Sequence, residues 1–271
     1  MSILRYILII AIFVFAACKG NDTEQSPEPK NEVSEIVQRG YLKIGTTGDY
    51  RPLSFLDPQT GEYWGFGIEM AEAIAKKMGV EIRYVPTSWP TLSVDVMNDT
   101  LMDFAIGGIT ITDKRKETMA MSIGYLNNGK TILCRVADAQ KYHSTKDLNL
   151  PTVRVMVNPG GLNEKFAHDS LPLCNLIVFD KNEEIPEQVA EGNADVMITE
   201  ITEAPWYIQN DSRLAAPLIS APFTHGEIGV LMQQGKDSLM SVVNTVILEM
   251  KANGELKALH EEYFSSYLQN Q

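Results

Sequence analysis

The chain has no excess of positive charge, few histidines and cysteines, and no apolar run long enough to cross a bilayer. Its 23 Lys and Arg stand against 35 Asp and Glu, a formal net charge of −12. A polyanion is repelled by nucleic acid and by anionic membrane surfaces, so no nucleic acid is expected as partner. The histidines His143, His168, His225 and His260 show no paired spacing, and there is no Cys-x-x-Cys. The sequence therefore offers no metal-ligand pattern, and neither a metal nor any other cofactor is expected. The apolar run Ile7 to Phe15 is too short for a spanning helix of about 20 residues.

That run has another reading. Arg5 precedes it and Ala16-Ala17-Cys18 follows it, the layout of an export signal over residues 1–17. A cysteine directly after two alanines resembles a bacterial lipobox, which implies cleavage before Cys18 and lipid attached to its sulfur, an anchor to the membrane. Phe15 stands where an aliphatic residue is usual. Loss of Arg5 takes the basic count from 23 to 22 against 35 acids, a net charge of −13. Residues 18–31 are polar with two prolines and no apolar periodicity, a flexible tether. The expected location is the periplasm, as a membrane-anchored lipoprotein. Cys134 and Cys174 remain after processing, and spacing does not decide between a disulfide and two buried thiols.

The full chain is 44% apolar, enough for one large or two modest cores, and beyond the tether it alternates strand and helix patterns. Strands are expected at 41–46, 81–85, 103–106, 153–157, 176–179, 196–198 and 228–232. Helices are expected at 68–78, stopped by Gly79, and at 239–250 and 256–264. This predicts an α/β protein of two lobes, each a mainly parallel sheet flanked by helices, with a cleft between them. Residues 32–133 plus 225–271 form the first lobe and 134–224 the second, with crossings near 130–136 and 222–230.

Ligands of open α/β sheets bind outside the carboxyl ends of the strands. From the first lobe this gathers Thr47, Tyr50, Trp89, Gly108, Thr110 and Arg115; from the second, Asn158, Gly160, Gly161, Glu200 and Glu203. Arg115 carries a planar fork suited to a carboxylate, although Lys114-Arg115-Lys116 also reads as a surface cluster. Trp89 and Tyr50 suit an apolar ring face or ordinary lobe core. Gly160-Gly161 beside Asn158 would let backbone N–H groups approach an anion, although a bare turn explains the glycines, but not the asparagine, equally well. Glu200 and Glu203 follow the strand at 196–198, with Thr202 expected to cap a helix carrying Pro205 in its first turn. Both acids are expected at the cleft edge, or else as solvated acids at a helix start.

Ile109-Thr110-Ile111-Thr112-Asp113-Lys114-Arg115 and Thr199-Glu200 resemble the family-3 solute-binding proteins that serve amino-acid uptake transporters. Gly45-Thr46-Thr47-Gly48-Asp49-Tyr50, Pro86-Thr87-Ser88-Trp89-Pro90, the segment 157–166 (VNPGGLNEKF) and Glu203-Ala204 are similar to the cyclohexadienyl dehydratases built on that scaffold. The resemblance implies a two-lobed periplasmic-binding-protein-like (type II) fold. It also implies conversion of prephenate or arogenate to phenylpyruvate or phenylalanine. Glu203 would then be the general acid, with Asn158 and Trp89 shaping the catalytic site. Arg115 and Thr110 would hold a carboxylate, and Thr47, Tyr50, Gly108, Gly161, Leu162 and Glu200 would complete the binding set. Three positions depart from the pattern: Glu200 replaces an aspartate that holds an α-amino group, Leu162 a carboxylate-binding threonine, and Gly67 an aspartate after Gly-Phe. The alternatives are an amino-acid-binding lipoprotein that passes its ligand to an ABC permease, and a sensory or structural lipoprotein with a vestigial cleft.

Overall fold

The structure is a computed structural model that describes residues 31–98 and 100–268. The leader over 1–17, lipidation at Cys18 and all but the last residue of the tether lie outside the described residues.

Two five-stranded sheets share one arrangement. In the first, Glu81–Pro86, Tyr41–Thr46 and Phe104–Ala105 run parallel, and Leu231–Gln233 and Met119–Met121 complete the sheet antiparallel to their neighbours. In the second, Asn175–Val178, Arg154–Val157 and Val196–Glu200 are parallel, followed by the antiparallel strands Lys130–Arg135 and Leu214–Ala215. Helices cover both faces, and this is why the central strands are apolar on both sides: Val196 to Ile198 are completely buried. Helix Phe66–Met78 starts two residues before the expected position and buries Phe66, Ile68, Met70, Ala71, Ile74 and Ala75. Gly79 ends it in the left-handed region at φ 69°, donating to the Ala75 and Lys76 carbonyls.

Two expectations shift. The strand expected at 228–232 is two strands, Gly226–Ile228 and Leu231–Gln233. Gly226–Ile228 pairs with Leu126–Asn128 in a separate ribbon. The break falls at Gly229, packed so closely on Ile111 that a Cβ would lie 2.9 Å from its Cδ1. The lobe boundary expected at 133/134 falls inside Lys130–Arg135, which pairs with the second sheet from Lys130 onward. The outgoing crossing therefore precedes Lys130. The returning one lies between Phe223, whose N–H donates to the Lys130 carbonyl, and the strand at Gly226. Cys134 and Cys174 are free thiols.

Candidate functional site

The segments that leave the carboxyl ends of the strands of both sheets surround a narrow cavity, with about 330 Å³ of non-atom space counting what is open to solvent. Tyr50, Trp89, Gly108, Thr110 and Arg115 line it from the first lobe. Asn158, Gly161, Leu162 and Glu200 line it from the second, together with Lys130, Asn163 and Asn182. Three of the expected residues, Thr47, Gly160 and Glu203, are not on the wall.

On the first-lobe side, Tyr50 and Trp89 meet edge to face with centroids 5.6 Å apart. Trp89 Nε1 donates to Asp49 Oδ1 at 3.0 Å, which fixes the indole. Gly108, at φ 95°, leaves room for the Tyr50 ring, since a Cβ there would stand 2.1 Å from Tyr50 Cδ1. Arg115 is anchored by Nη1 donating to the Thr110 carbonyl at 2.6 Å. Burial pushes its guanidinium down while Glu200 pulls it back up, and a guanidinium stays charged throughout. Among the described residues its other donors have no protein partner.

On the second-lobe side, helix Leu162–Ser170 starts at the wall, and its N-cap Gly161 has no side chain to accept from the first-turn N–H groups. Those N–H groups remain available to an anion. Asn158 is buried, and its amide makes no protein hydrogen bond among the described residues. Gly160 lies at φ 74°, and a Cβ there would stand 2.5 Å from Pro90 Cα in the other lobe. The lobes touch over bare backbone at this point. Gly160→Ala is expected to hinder closure and weaken ligand binding at least ~10-fold, about 1.4 kcal/mol. Calorimetry with a carboxylate ligand checks it, and unchanged affinity would show that closure over Pro90 contributes nothing.

The cleft is shut. Tyr50 OH donates to Glu200 across it, Thr110 Oγ1 donates to Glu200 Oε1 at 3.3 Å, and Asn182 Nδ2 donates to the Asp49 carbonyl at 3.0 Å. Trp64 and Trp206 meet with centroids 5.5 Å apart.

Glu200 does not face the cavity as a free acid. Lys130 stands opposite it on the neighbouring antiparallel strand, with Nζ 2.5 Å from Oε1. Burial pushes the Glu200 carboxyl up, but Lys130 and the Tyr50 hydroxyl outweigh it and hold the group below its ordinary value. Lys130 Nζ also donates to Asn163 Oδ1 at 2.6 Å. Sequence reasoning missed Lys130, Asn163 and Asn182. The one signal for Lys130 is a charge opening a strand in which Thr131 to Cys134 are completely buried.

Glu203 is completely buried. It accepts hydrogen bonds from Thr199 Oγ1 at 2.5 Å, Asn182 Nδ2 at 3.0 Å and Tyr207 OH at 3.4 Å. Burial, with Glu200 and Asp49 nearby, raises its carboxyl to about 8 against the opposing pull of the Thr199 and Asn182 hydrogen bonds. Asn182 stands between it and the cavity, bonded to Glu203 and itself on the wall. Thr202 does not cap the following helix. That helix is Ala204–Asn210, Glu203 is its N-cap without a side-chain cap bond, and the Thr202 hydroxyl donates instead to Asn128 Oδ1 in the ribbon at 3.1 Å. The helix dipole thus acts on Glu203 without a hydrogen bond from it, and burial prevails. Gly67 is structural: a Cβ there would stand 2.9 Å from Gly107 Cα, so an aspartate does not fit.

Against known proteins, residues 42–266 match the model of the bacterial extracellular solute-binding proteins, family 3. The chain is similar to cyclohexadienyl dehydratase of Pseudomonas aeruginosa, 34% identical over 203 residues, 75% of each chain. A solved ancestral amino acid-binding protein, described as a precursor of cyclohexadienyl dehydratase, is 35% identical with a TM-score of 0.79, over 86% of this chain and 99% of that one. A solved ancestral cyclohexadienyl dehydratase is 44% identical with a TM-score of 0.55, over 88% and 98%. With both sheets, the shut cleft and this match in hand, the chain belongs to the family-3 bacterial extracellular solute-binding proteins, a family of the two-lobed type II periplasmic-binding fold.

Proposed function

We propose that this chain is a dehydratase that converts prephenate, arogenate or both to the aromatic product by loss of water and carbon dioxide. The observation that carries this reading is Glu203, a fully buried carboxyl one hydrogen bond behind the cavity wall and raised to about 8. A carboxyl of ordinary pKa is ionised at neutral pH and has no proton to give, whereas this one keeps its proton. A non-catalytic receptor has no use for it.

The substrate's side-chain carboxylate lies against Arg115, Thr110 and the N–H groups at the start of helix Leu162–Ser170. Tyr50 and Trp89 cover one face of the ring, and the uncharged Asn158 amide lies beside the ring carboxylate. A neutral neighbour there leaves that carboxylate free to lose its charge. Its C–C bond to the ring breaks, the electron pair enters the ring, and the C–O bond at the far carbon breaks. Glu203 gives its proton to the departing hydroxyl, which leaves as water while the carboxylate leaves as carbon dioxide. Solvent then returns a proton to Glu203. For this to occur the Asn182 amide has to swing from Glu203 Oε1, and its second bond, to Asp49, lies on the opposite lobe. Opening and closing of the cleft therefore reorganises this amide each cycle. Leader, tether and Cys18 make the protein, on this reading, a periplasmic lipoprotein.

Incubating the purified chain with each cyclohexadiene and following absorbance of the aromatic product tests the reading. Absence of turnover with tight binding of an ordinary amino acid would favour a transport receptor, which family membership and Arg115 also suit. Arg115→Met is expected to weaken binding of phenylpyruvate by roughly 100-fold, about 2.7 kcal/mol, since it removes the one unpaired cation of the wall. Calorimetry measures it, and a change under threefold would place the carboxylate elsewhere.

A further inference from the structure

We infer that Lys130 selects the substrate class: by occupying Glu200 it makes the cleft a site for the 2-oxo acid and excludes the 2-ammonio acid of the same skeleton. The inference rests on the dehydratase reading for the identity of the ring, but the discrimination concerns binding and is measurable without turnover.

An α-ammonium brings three N–H donors and a charge, and a carboxylate is the acceptor that suits it. Glu200 is the single acid among the residues lining the cavity. Its Oε1 already accepts from Lys130 Nζ and Thr110 Oγ1, and its Oε2 from Tyr50 OH. Any further ammonium at that carboxylate would also meet the Lys130 charge at close range, where like charges repel strongly because water is excluded. Asn158 and Asn182 offer amide oxygens to such a group but no charge.

The Lys130–Glu200 pair is not a product of cleft closure. The two residues are direct cross-strand partners within the second sheet, and Asn163, in the first turn of helix Leu162–Ser170, accepts a second N–H of the same ammonium. The pairing stands whether the lobes are open or shut. Tyr50 and Thr110 come from the other lobe, so a ligand can displace them; Lys130 it cannot. Among the described residues the third N–H of Lys130 has no protein partner, and Lys130 is on the cavity wall. A 2-oxo group is an acceptor without protons and matches that donor. Charge points the same way: Arg115 and Lys130 against Glu200 leave the wall one positive charge, which favours an anion that carries no ammonium.

The experiment uses the purified chain, calorimetry with phenylpyruvate and phenylalanine, and turnover of prephenate and arogenate. Phenylpyruvate is expected to bind at least tenfold tighter than phenylalanine, and kcat/KM for prephenate to exceed that for arogenate by at least roughly 30-fold. Lys130→Met frees Glu200 and is expected to shrink the binding preference at least tenfold, whereas Lys130→Arg keeps it. Phenylalanine binding as tightly as phenylpyruvate in the parent overturns the inference, and so does an unchanged preference in a folded Lys130→Met variant. Should that variant not fold, the parent comparison decides. Turnover of both cyclohexadienes at equal kcat/KM overturns the inference and leaves the dehydratase reading standing. Turnover of neither, with the oxo-acid preference intact, does the reverse.

Discussion

Glu203→Gln is expected to lower kcat for the cyclohexadiene at least 10³-fold while phenylpyruvate binding changes less than threefold. Positioned general acids contribute roughly 10² to 10⁴ in rate, and glutamine has the shape of glutamate without a transferable proton. The binding half of the expectation comes from where Glu203 sits. It is not on the cavity wall, so a bound ligand does not lean on it, and its partners are Thr199, Asn182 and Tyr207 within the protein. A glutamine retains an oxygen for the Thr199 hydroxyl and gains donors beside Asn182, whose Oδ1 is buried without a partner. In the parent, kcat/KM is expected to fall as pH rises through about 8, where Glu203 loses its proton. Retention of more than a tenth of kcat in the variant would mean that the proton comes from another group. Parallel losses in rate and binding would mean that Glu203 shapes the wall and donates nothing.

Much of the fold was legible because its signals are local. The helix expected at 68–78 announces itself by apolar period and by Gly79, and the central strands by short apolar runs. Cleft-facing residues such as Arg115, Asn158 and Gly161 follow from one rule, that loops after strand carboxyl ends meet. What escaped depends on pairings that the linear order hides. Lys130 and Glu200 become neighbours through an antiparallel register between segments seventy residues apart, and no local pattern marks that register. The strand at 228–232 breaks because Gly229 must pass against Ile111, a tertiary demand. Thr202 has every local qualification of a cap, yet a buried asparagine in the ribbon claims its hydroxyl. Glu203 was read at the cleft edge because it follows a strand by three residues. The turn instead carries it behind Asn182, a residue from a different segment of the same lobe.

Stability is expected to depend on pH through this same carboxyl, in the direction opposite to that of an ordinary surface glutamate. Burial raises Glu203 to about 8 in the folded chain, from a reference value of 4.5. Between these values the folded protein holds a proton that the unfolded chain has released. The contribution is therefore full below pH 4.5, declines as pH rises and is gone above about 8. Each unit corresponds to about 1.36 kcal/mol, so the whole window amounts to a loss on the order of 5 kcal/mol. Hinge opening lets water reach the ionised carboxyl at less cost than global unfolding, so part of this loss is taken up as a shift toward the open form. Glu203→Gln has no proton to lose. Urea unfolding of parent and variant at pH 5, 7 and 9 should show the variant gaining on the parent at each step, by several kcal/mol over the series. Because Asp49 and Glu200 are present in both proteins, their own titrations largely cancel in the difference. Curves that stay parallel from pH 5 to 9 would mean that Glu203 ionises as a hydrated acid does. Glu203 would then hold no proton for the leaving hydroxyl at neutral pH, and any turnover would draw that proton from another group.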